Sequence, residues 1–418
     1  GLAANFPASY TIQTSDNGTV YATRHEVTDG AMPSFSATQT GNIPYFGRSF
    51  TLPAGKEVKR ARIYASALGV FTLKLNGQPV TENRLEPGES EYGKSVLYST
   101  YDVTSLVRSG RNALLAQVAG GLFNVTAVSG RYSKGEIRNS GNTSLLAELF
   151  VEYTDGTADR VVTDGSWRCA ASPTTGSNWW GGEDYDARLY DARVERADYD
   201  FSAWKPVREV TPSFRFGHVN KSFSRPGVLK ARSYEPLRVV ETWPAVGVRK
   251  MSNGDYMIDF GRNYAGTYRF TLKGRKGQTI RLREFERLDA NGNGYIDNWY
   301  TGTSVVYEEY TFARDGVEET WGPEFMYHGF RYMQVSGLDE APSPSDFTAE
   351  RIRSNMAYTG SFATGNTLLN DIHTLCRDAI QSQLYNTITD CPQREKLGWL
   401  DVPNEMFNSL CYNYDMTT

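Results

Sequence analysis

Between two helical patterns at the end of the chain, the segment 389–401 reads Thr-Asp-Cys-Pro-Gln-Arg-Glu-Lys-Leu-Gly-Trp-Leu-Asp, placing Asp390, Arg394, Glu395, Lys396, Trp399 and Asp401 within twelve positions. These residue types suit a polyhydroxylated ligand. Carboxylates accept from hydroxyls, an indole covers the apolar face of a ring, and a neighbouring cation tunes an acid. The same residues also suit a polar interhelical loop held together by ion pairs, and pattern alone does not separate the two readings.

Other candidate chemistry is sparse. Asp289-Ala-Asn-Gly-Asn-Gly-Tyr-Ile-Asp297 imitates the first nine positions of a calcium loop, with Asp289, Asn291, Asn293 and Asp297 as oxygen donors. Position twelve is Tyr300 where a bidentate Glu is required, and the flanks read as strands, so a β-turn is expected and calcium is the alternative. Trp179-Trp180 offers either a sugar-stacking surface or a core or domain-interface pair. His25, His218, His328 and His373 stand apart from one another and read as structural. There is no Gly-rich phosphate loop and no Gly-x-Ser-x-Gly pattern.

The elements around the charged segment set the frame. At 418 residues, two to three domains are expected. Period-two runs such as Ala61–Ala67, Phe71–Leu75 before Asn76-Gly77, and Leu146–Tyr153 before Asp155-Gly156 predict hairpins in a β-sandwich. A Pro-punctuated stretch from Pro206 to Pro226 reads as a connector. A second strand-rich block follows, clearest at Tyr256–Phe260, Thr267–Leu272, Thr279–Glu284 and Arg331–Val335. The period then changes to three and four. Leu368, Leu369, Ile372, Leu375, Cys376, Ala379 and Ile380 predict a helix of about four turns capped by Asn366 or Thr367. A second helix is expected from Pro403, burying Met406, Phe407, Leu410, Cys411 and Tyr414. Two such amphipathic helices need helical partners, so an incomplete helical domain is expected.

Bulk properties exclude some partners. The formal charge is -4, with 44 basic and 48 acidic residues and no long basic run, which argues against nucleic acid. Cys169, Cys376, Cys391 and Cys411 form neither a disulfide framework nor a CxxC metal pattern. No stretch is long and apolar enough to span a bilayer, and the chain opens without a signal-peptide pattern.

Asp390-Cys-Pro-Gln-Arg-Glu-Lys-Leu-Gly-Trp399 resembles, almost word for word, the signature of the inverting alpha-L-rhamnosidase family, whose catalytic domain is an (α/α)6 barrel. Ala67-Leu-Gly through Leu75-Asn-Gly, Glu86-Pro-Gly, Val96-Leu-Tyr and Tyr101-Asp-Val-Thr are similar to that family's N-terminal β-sandwich. Asp259-Phe-Gly-Arg-Asn, Arg283-Glu and Phe325-Met-Tyr-His-Gly-Phe-Arg-Tyr are similar to the β domain that precedes its barrel.

The resemblance implies a mostly β, multi-domain chain: 1–40 an N-terminal extension or strand, 41–210 a β-sandwich, 211–235 a connector, 236–345 a second β domain, and 346–418 the first helices of a truncated (α/α)6 barrel. It places the general acid on Glu395, a sugar-hydroxyl ligand on Asp390, a stacking ring on Trp399, and Arg394 beside the acid. Trp399 is expected to shield Glu395 from water and so favour its protonated form. Many members continue Gly-Trp-x-Gly-Asp, whereas Trp399 is followed here by Leu400-Asp401-Val402, so Asp401 is a displaced candidate for the last acid. The family's general base lies beyond this sequence.

The implied activity is release of terminal alpha-L-rhamnose from a polysaccharide or rhamnosylated glycoside, with inversion and no required cofactor. A carbohydrate is then the partner, and a periplasmic or extracellular location follows from the substrate class. Two alternatives stand beside it: a lyase cleaving a rhamnose–uronate linkage, with Arg394 and Lys396 neutralising the uronate, and a carbohydrate-binding assembly without catalysis.

Overall fold

A computed structural model describes residues 43–125, 130–133, 143–210, 227–295 and 305–417, together with the backbone strands Tyr10–Thr14, Ala22–Val27, Met32–Ser34, Phe214–Phe216 and Lys221–Phe223. The first unit is a two-sheet sandwich. One sheet runs Arg208–Val210, Met32–Ser34, Ser144–Tyr153, Val58–Leu68, Ser95–Asp102, Val228–Ala231, with Ala158–Val162 on the side of Ser144–Tyr153. The other runs Lys205–Pro206, Arg168–Ala171, Pro44–Leu52, Gly110–Ala119, Val70–Leu75, Gln78–Pro79.

Alternation along these strands turns Phe46, Leu73, Leu114 and Val118 of one sheet toward Ala61, Ile63, Leu149 and Val151 of the other, with Trp167 fully buried among them. Asn76-Gly77 closes a hairpin because both residues hold positive φ, 54° and 80°, which matches the twist of the flanking strands.

The second unit is a ten-stranded sheet organised on one long strand, Tyr256–Lys273, which merges two expected strands through an irregularity between Asp259 and Tyr264. It pairs along different parts of its length with Gly247–Lys250, Glu318–Trp321, His328–Ser336 and Phe347–Ser354. Tyr264, Tyr268, Phe270, Tyr310, Trp321 and Phe330 form an aromatic core on this sheet.

The chain threads between units more than the sequence suggests. Thr174–Asn178 and Gly182–Asp186, inside the segment 41–210, join the second sheet, the latter in parallel with Glu308–Thr311. Val228–Ala231, inside the expected connector, is a parallel edge strand beside Ser95–Asp102 of the sandwich. Phe347–Ser354 lies inside the expected helical segment and pairs with Leu237–Pro244 in the second sheet. Such long-range pairings leave no local signature, because a strand carries the same period in either sheet.

Helix α1, Thr367–Gln381, begins at Asn366, whose side chain accepts from the Leu368 N–H at 3.0 Å. Helix α2, Asp401–Asn413, begins two residues before the expected start, with Pro403 inside its first turn, where a missing N–H costs nothing. The expected burial of the α1 stripe is not found: Leu368, Leu369, Ile372 and Leu375 are all exposed, Leu375 by 69%. Phe407 and Cys411 of α2 are exposed as well. Only the C-terminal parts of the stripes are covered, where Ile380, Leu384, Leu410 and Tyr414 pack together. Among the described residues no helix is long and apolar enough to cross a membrane.

Candidate active site

The segment between α1 and α2 is a closed loop. The two-residue strands Leu384–Tyr385 and Thr387–Ile388 pair around Asn386, and Thr389 then bridges Gly398. The Asp390 N–H donates to the Leu397 carbonyl at 3.0 Å and the Lys396 N–H to that of Cys391 at 3.1 Å, drawing residues 390–397 into one bulb. Pro392 abuts Gly329 of the second sheet.

Three residues distant in sequence hold this bulb. Tyr132 Oη donates to the Arg394 carbonyl at 3.0 Å, and Trp180 Nε1 to the Glu395 carbonyl at 3.3 Å. Gln393 donates through its amide to the Glu286 carboxylate. Lys396 turns the other way. Held at φ 53°, it sends its ammonium into the protein, where it donates to the carbonyls of Trp179, at 2.7 Å, and Tyr327, 4.5 Å above the Tyr327 ring. Burial pulls its pKa down to about 7.

Glu395 is where the polar side chains converge. Trp399 Nε1 donates to its Oε2 at 3.0 Å, and Arg394 Nη2 lies 3.3 Å from its Oε1. Asp390 has its carboxyl pKa raised first by burial and then by a hydrogen bond to, and the charge of, Glu395. The neighbouring Glu395 charge therefore adds to burial in favouring the protonated form of Asp390, because two adjacent carboxylates cannot both ionise freely. Both side chains remain partly accessible.

Asp390, Arg394, Glu395 and Trp399 are thus brought together, and two expected roles change. Trp399 does not seal Glu395 from water: the indole is half exposed and reaches the acid as a hydrogen-bond donor. Asp401 stands apart. It is exposed in the first turn of α2, and among the described residues its carboxylate accepts from the adjacent Val402 N–H alone. Lys396, assigned above to a uronate carboxylate in the lyase reading, is 2% exposed and committed to two carbonyls.

The remaining candidates also find places. Trp179 and Trp180 are 4% and 0% exposed in the cluster that joins both β units to Tyr385, which removes the surface-stacking reading. Asp289 accepts from the N–H groups of Asn291 and Asn293 at 2.9 and 2.7 Å, so its carboxylate closes a turn on its own loop. Asp297 lies outside the described residues. His373 Nε2 lies 3.3 Å from Asn413 Oδ1, between the two helices.

Sequence reading missed the group beneath the loop. Glu284, Glu308 and His328 each place one ligand-type atom within 4.8 Å of the others, with His328 Nε2 2.9 Å from Glu308 Oε1. Burial and the charge of Glu308 hold Glu284 well above the usual carboxylate range, and burial lowers His328. Lys396 and Arg131 both act on this group electrostatically, so it balances buried cations. These three residues come from three strands, and no spacing in the sequence marks them.

The contact between Gly329 and Pro392 gives a direct test of how the sheet positions the loop. A Cβ on Gly329 would lie 2.3 Å from Pro392 Cγ. Gly329→Ala is expected to push the loop outward and cost about 1–3 kcal/mol, as overpacking does. Chemical denaturation measures the loss, and an unchanged stability would mean that the loop rests on other supports.

Comparison with known proteins agrees with this architecture. The alpha-L-rhamnosidase N-terminal domain matches residues 56–241, the bacterial alpha-L-rhamnosidase concanavalin-like domain 249–353, and the bacterial alpha-L-rhamnosidase six-hairpin glycosidase domain 357–418. An alpha-L-rhamnosidase of Streptomyces avermitilis is 36% identical over 353 residues, covering 84% of this chain and 32% of that protein. One from Formosa agariphila is 31% identical over 379 residues, covering 89% and 38%. Among solved structures, the Streptomyces avermitilis alpha-L-rhamnosidase complexed with L-rhamnose superposes with a TM-score of 0.79 at 32% identity, covering 96% of this chain and 37% of that one. The alpha-L-rhamnosidase from Dictyoglumus thermophilum gives 0.79 at 30%, covering 90% and 40%. The chain spans 32% and 38% of the two curated relatives just named. Three successive domain matches, in the order in which the sandwich, the second sheet and the helices follow one another, show that the chain belongs to the bacterial alpha-L-rhamnosidase family.

Proposed function

We propose that the protein carrying this chain hydrolyses terminal alpha-L-rhamnosides with inversion, using Glu395 as the general acid. The observation that carries this reading is the environment of the Glu395 carboxyl. It lies close enough to Asp390 to raise that carboxyl's pKa, accepts from Trp399, and lies beside Arg394 at an accessible loop mouth. The carboxylate left after proton transfer to a glycosidic oxygen keeps two donors, Trp399 Nε1 and Arg394. The named relatives are alpha-L-rhamnosidases, and the solved Streptomyces avermitilis structure holds L-rhamnose.

Asp390 does not serve as the inverting base. An inverting pair stands about 6.5–9.5 Å apart to admit water, whereas Asp390 lies near enough to Glu395 for that carboxyl to raise its pKa. Its role is to hold a sugar hydroxyl, while Trp399, half exposed, offers a ring face to the sugar. The base comes from another part of the enzyme. Proton delivery and water activation by carboxyls require no cofactor, and a polymeric or glycoside substrate points to an exported enzyme.

The stereochemistry tests the mechanism. With the full-length protein, proton NMR of a fresh reaction on an alpha-L-rhamnoside should show the β anomer of free rhamnose first, followed by mutarotation. Initial α anomer would replace inversion by a double displacement, and an unsaturated uronate product in place of free rhamnose would remove the hydrolase reading.

A further inference from the structure

We propose that the cleft between the sandwich and the second sheet is a second saccharide site, separate from the 389–401 loop and selective for neutral sugar rings. The cleft has a volume of about 620 Å³, within the range of small-molecule sites, and none of its lining residues belongs to that loop. The sandwich contributes Tyr45 and Gln117. The second sheet and the turn after Gly182–Asp186 contribute Tyr185, Tyr190, Trp321 and Glu324.

The lining combines ring faces with hydroxyl-binding groups. Tyr185 lies parallel to Tyr310 at 5.8 Å and 5.9 Å from Trp321, a packed aromatic floor. After burial, Tyr185 and then Glu195 and Tyr190 raise the pKa of the Tyr45 phenol, Tyr310 and Tyr190 raise that of Tyr185, and Glu195 raises that of Tyr190, which places the three phenols around one cleft. Among the described residues, the hydroxyls of Tyr45 and Tyr185 have no protein hydrogen-bond partner, yet neither belongs to the sealed, unpartnered atoms of the interior. Two phenols, the Glu324 carboxylate and the Gln117 amide, whose Nε2 donates to Thr174 Oγ1 at a long 3.4 Å, therefore face an entering polyol.

Charge decides the ligand class. Each cation in the lining is already paired: Lys74 with Glu195 at 2.6 Å, Arg314 with Glu319 at 3.3 Å, and Arg269 with Glu350 at 2.9 Å. Glu183 is sealed beneath, accepting from the N–H groups of Glu324 and Phe325 at 3.0 Å each. An entering carboxylate or phosphate would meet Glu324 without a free cation to balance it, whereas neutral hydroxyls find both donors and acceptors.

Binding to the 418-residue chain tests the proposal. L-Rhamnose, a neutral rhamno-oligosaccharide, D-galactose and D-galacturonate are titrated with tryptophan fluorescence and saturation-transfer NMR as readouts. At least one neutral saccharide should bind saturably with a dissociation constant of about 1 mM, and D-galacturonate should not bind. Tyr190→Ala, at an exposed ring, should weaken binding about tenfold, and Glu324→Gln should weaken it several-fold. The proposal falls if no neutral saccharide saturates, or if galacturonate binds equally well. It also falls if binding survives both cleft variants, which would place the sugar outside the cleft.

Discussion

Glu395→Gln in the full-length protein is expected to lower kcat/KM on an alkyl alpha-L-rhamnoside by about 10²–10⁴-fold, the span over which a positioned general acid contributes. The amide keeps the shape of the side chain and an oxygen for Trp399 Nε1, so the loop should hold and KM should change little. What disappears is a transferable proton. The loss should therefore depend on the leaving group. An alkoxide must be protonated as it departs, whereas a nitrophenolate leaves unaided, so the nitrophenyl rhamnoside should lose much less. Kinetics on the two substrates make the measurement. An equal loss on both would assign Glu395 to holding the loop, and a loss of only a few-fold on the alkyl substrate would place the acid elsewhere.

Lys396→Met is expected to produce the largest change in stability, and its size should depend on pH. The substitution leaves the carbonyls of Trp179 and Tyr327 without their donor in a buried setting, about 1–3 kcal/mol for each orphaned group. The wild-type lysine has its own penalty. Its pKa falls from 10.5 toward about 7 on folding, through burial first. A depressed folded pKa contributes stability that is fully present above 10.5 and lost as pH falls toward 7, at up to about 1.4 kcal/mol per pH unit, with no further loss below that. Methionine lacks this dependence.

The deficit of Lys396→Met should thus be greatest at about pH 9–10 and shrink toward about pH 6. Denaturation of both proteins at the two pH values reads it directly. A deficit that is constant, or larger at low pH, would show that Lys396 stays fully charged in the fold and anchors the loop as a cation.

The contrast between these two residues shows what was legible in the sequence. Glu395 and Lys396 are neighbours of similar polarity in one signature, and local pattern offers no reason to treat them differently. The left-handed φ at Lys396 sends its ammonium beneath the loop into a cage made by residues 69 and 217 positions away, while Glu395 stays at the mouth. Trp399 reads from sequence as a cover for the acid and proves to be a donor to it, since the direction of an indole depends on the path of the loop. Asp401 reads as part of the cluster and leaves it because α2 starts there and carries it away.

The alternating strands, the Asn76-Gly77 hairpin, the Asn366 cap and the change of period at α1 were determined by the sequence itself. These features depend on periods of two and 3.6 and on φ preferences that act within a few residues. The tertiary structure alone decided the rest. It assigned Thr174–Asn178 and Gly182–Asp186 to the second sheet, buried Trp179 and Trp180 between domains, and set Tyr132, Trp180 and Glu286 against the loop from more than a hundred positions away. It also gathered Glu284, Glu308 and His328 beneath that loop. The physical reason is the range of the interactions. Local dihedral and periodicity signals end within a turn or a hairpin, whereas a site is made by hydrogen bonds and burial between segments that only the packed fold brings into contact.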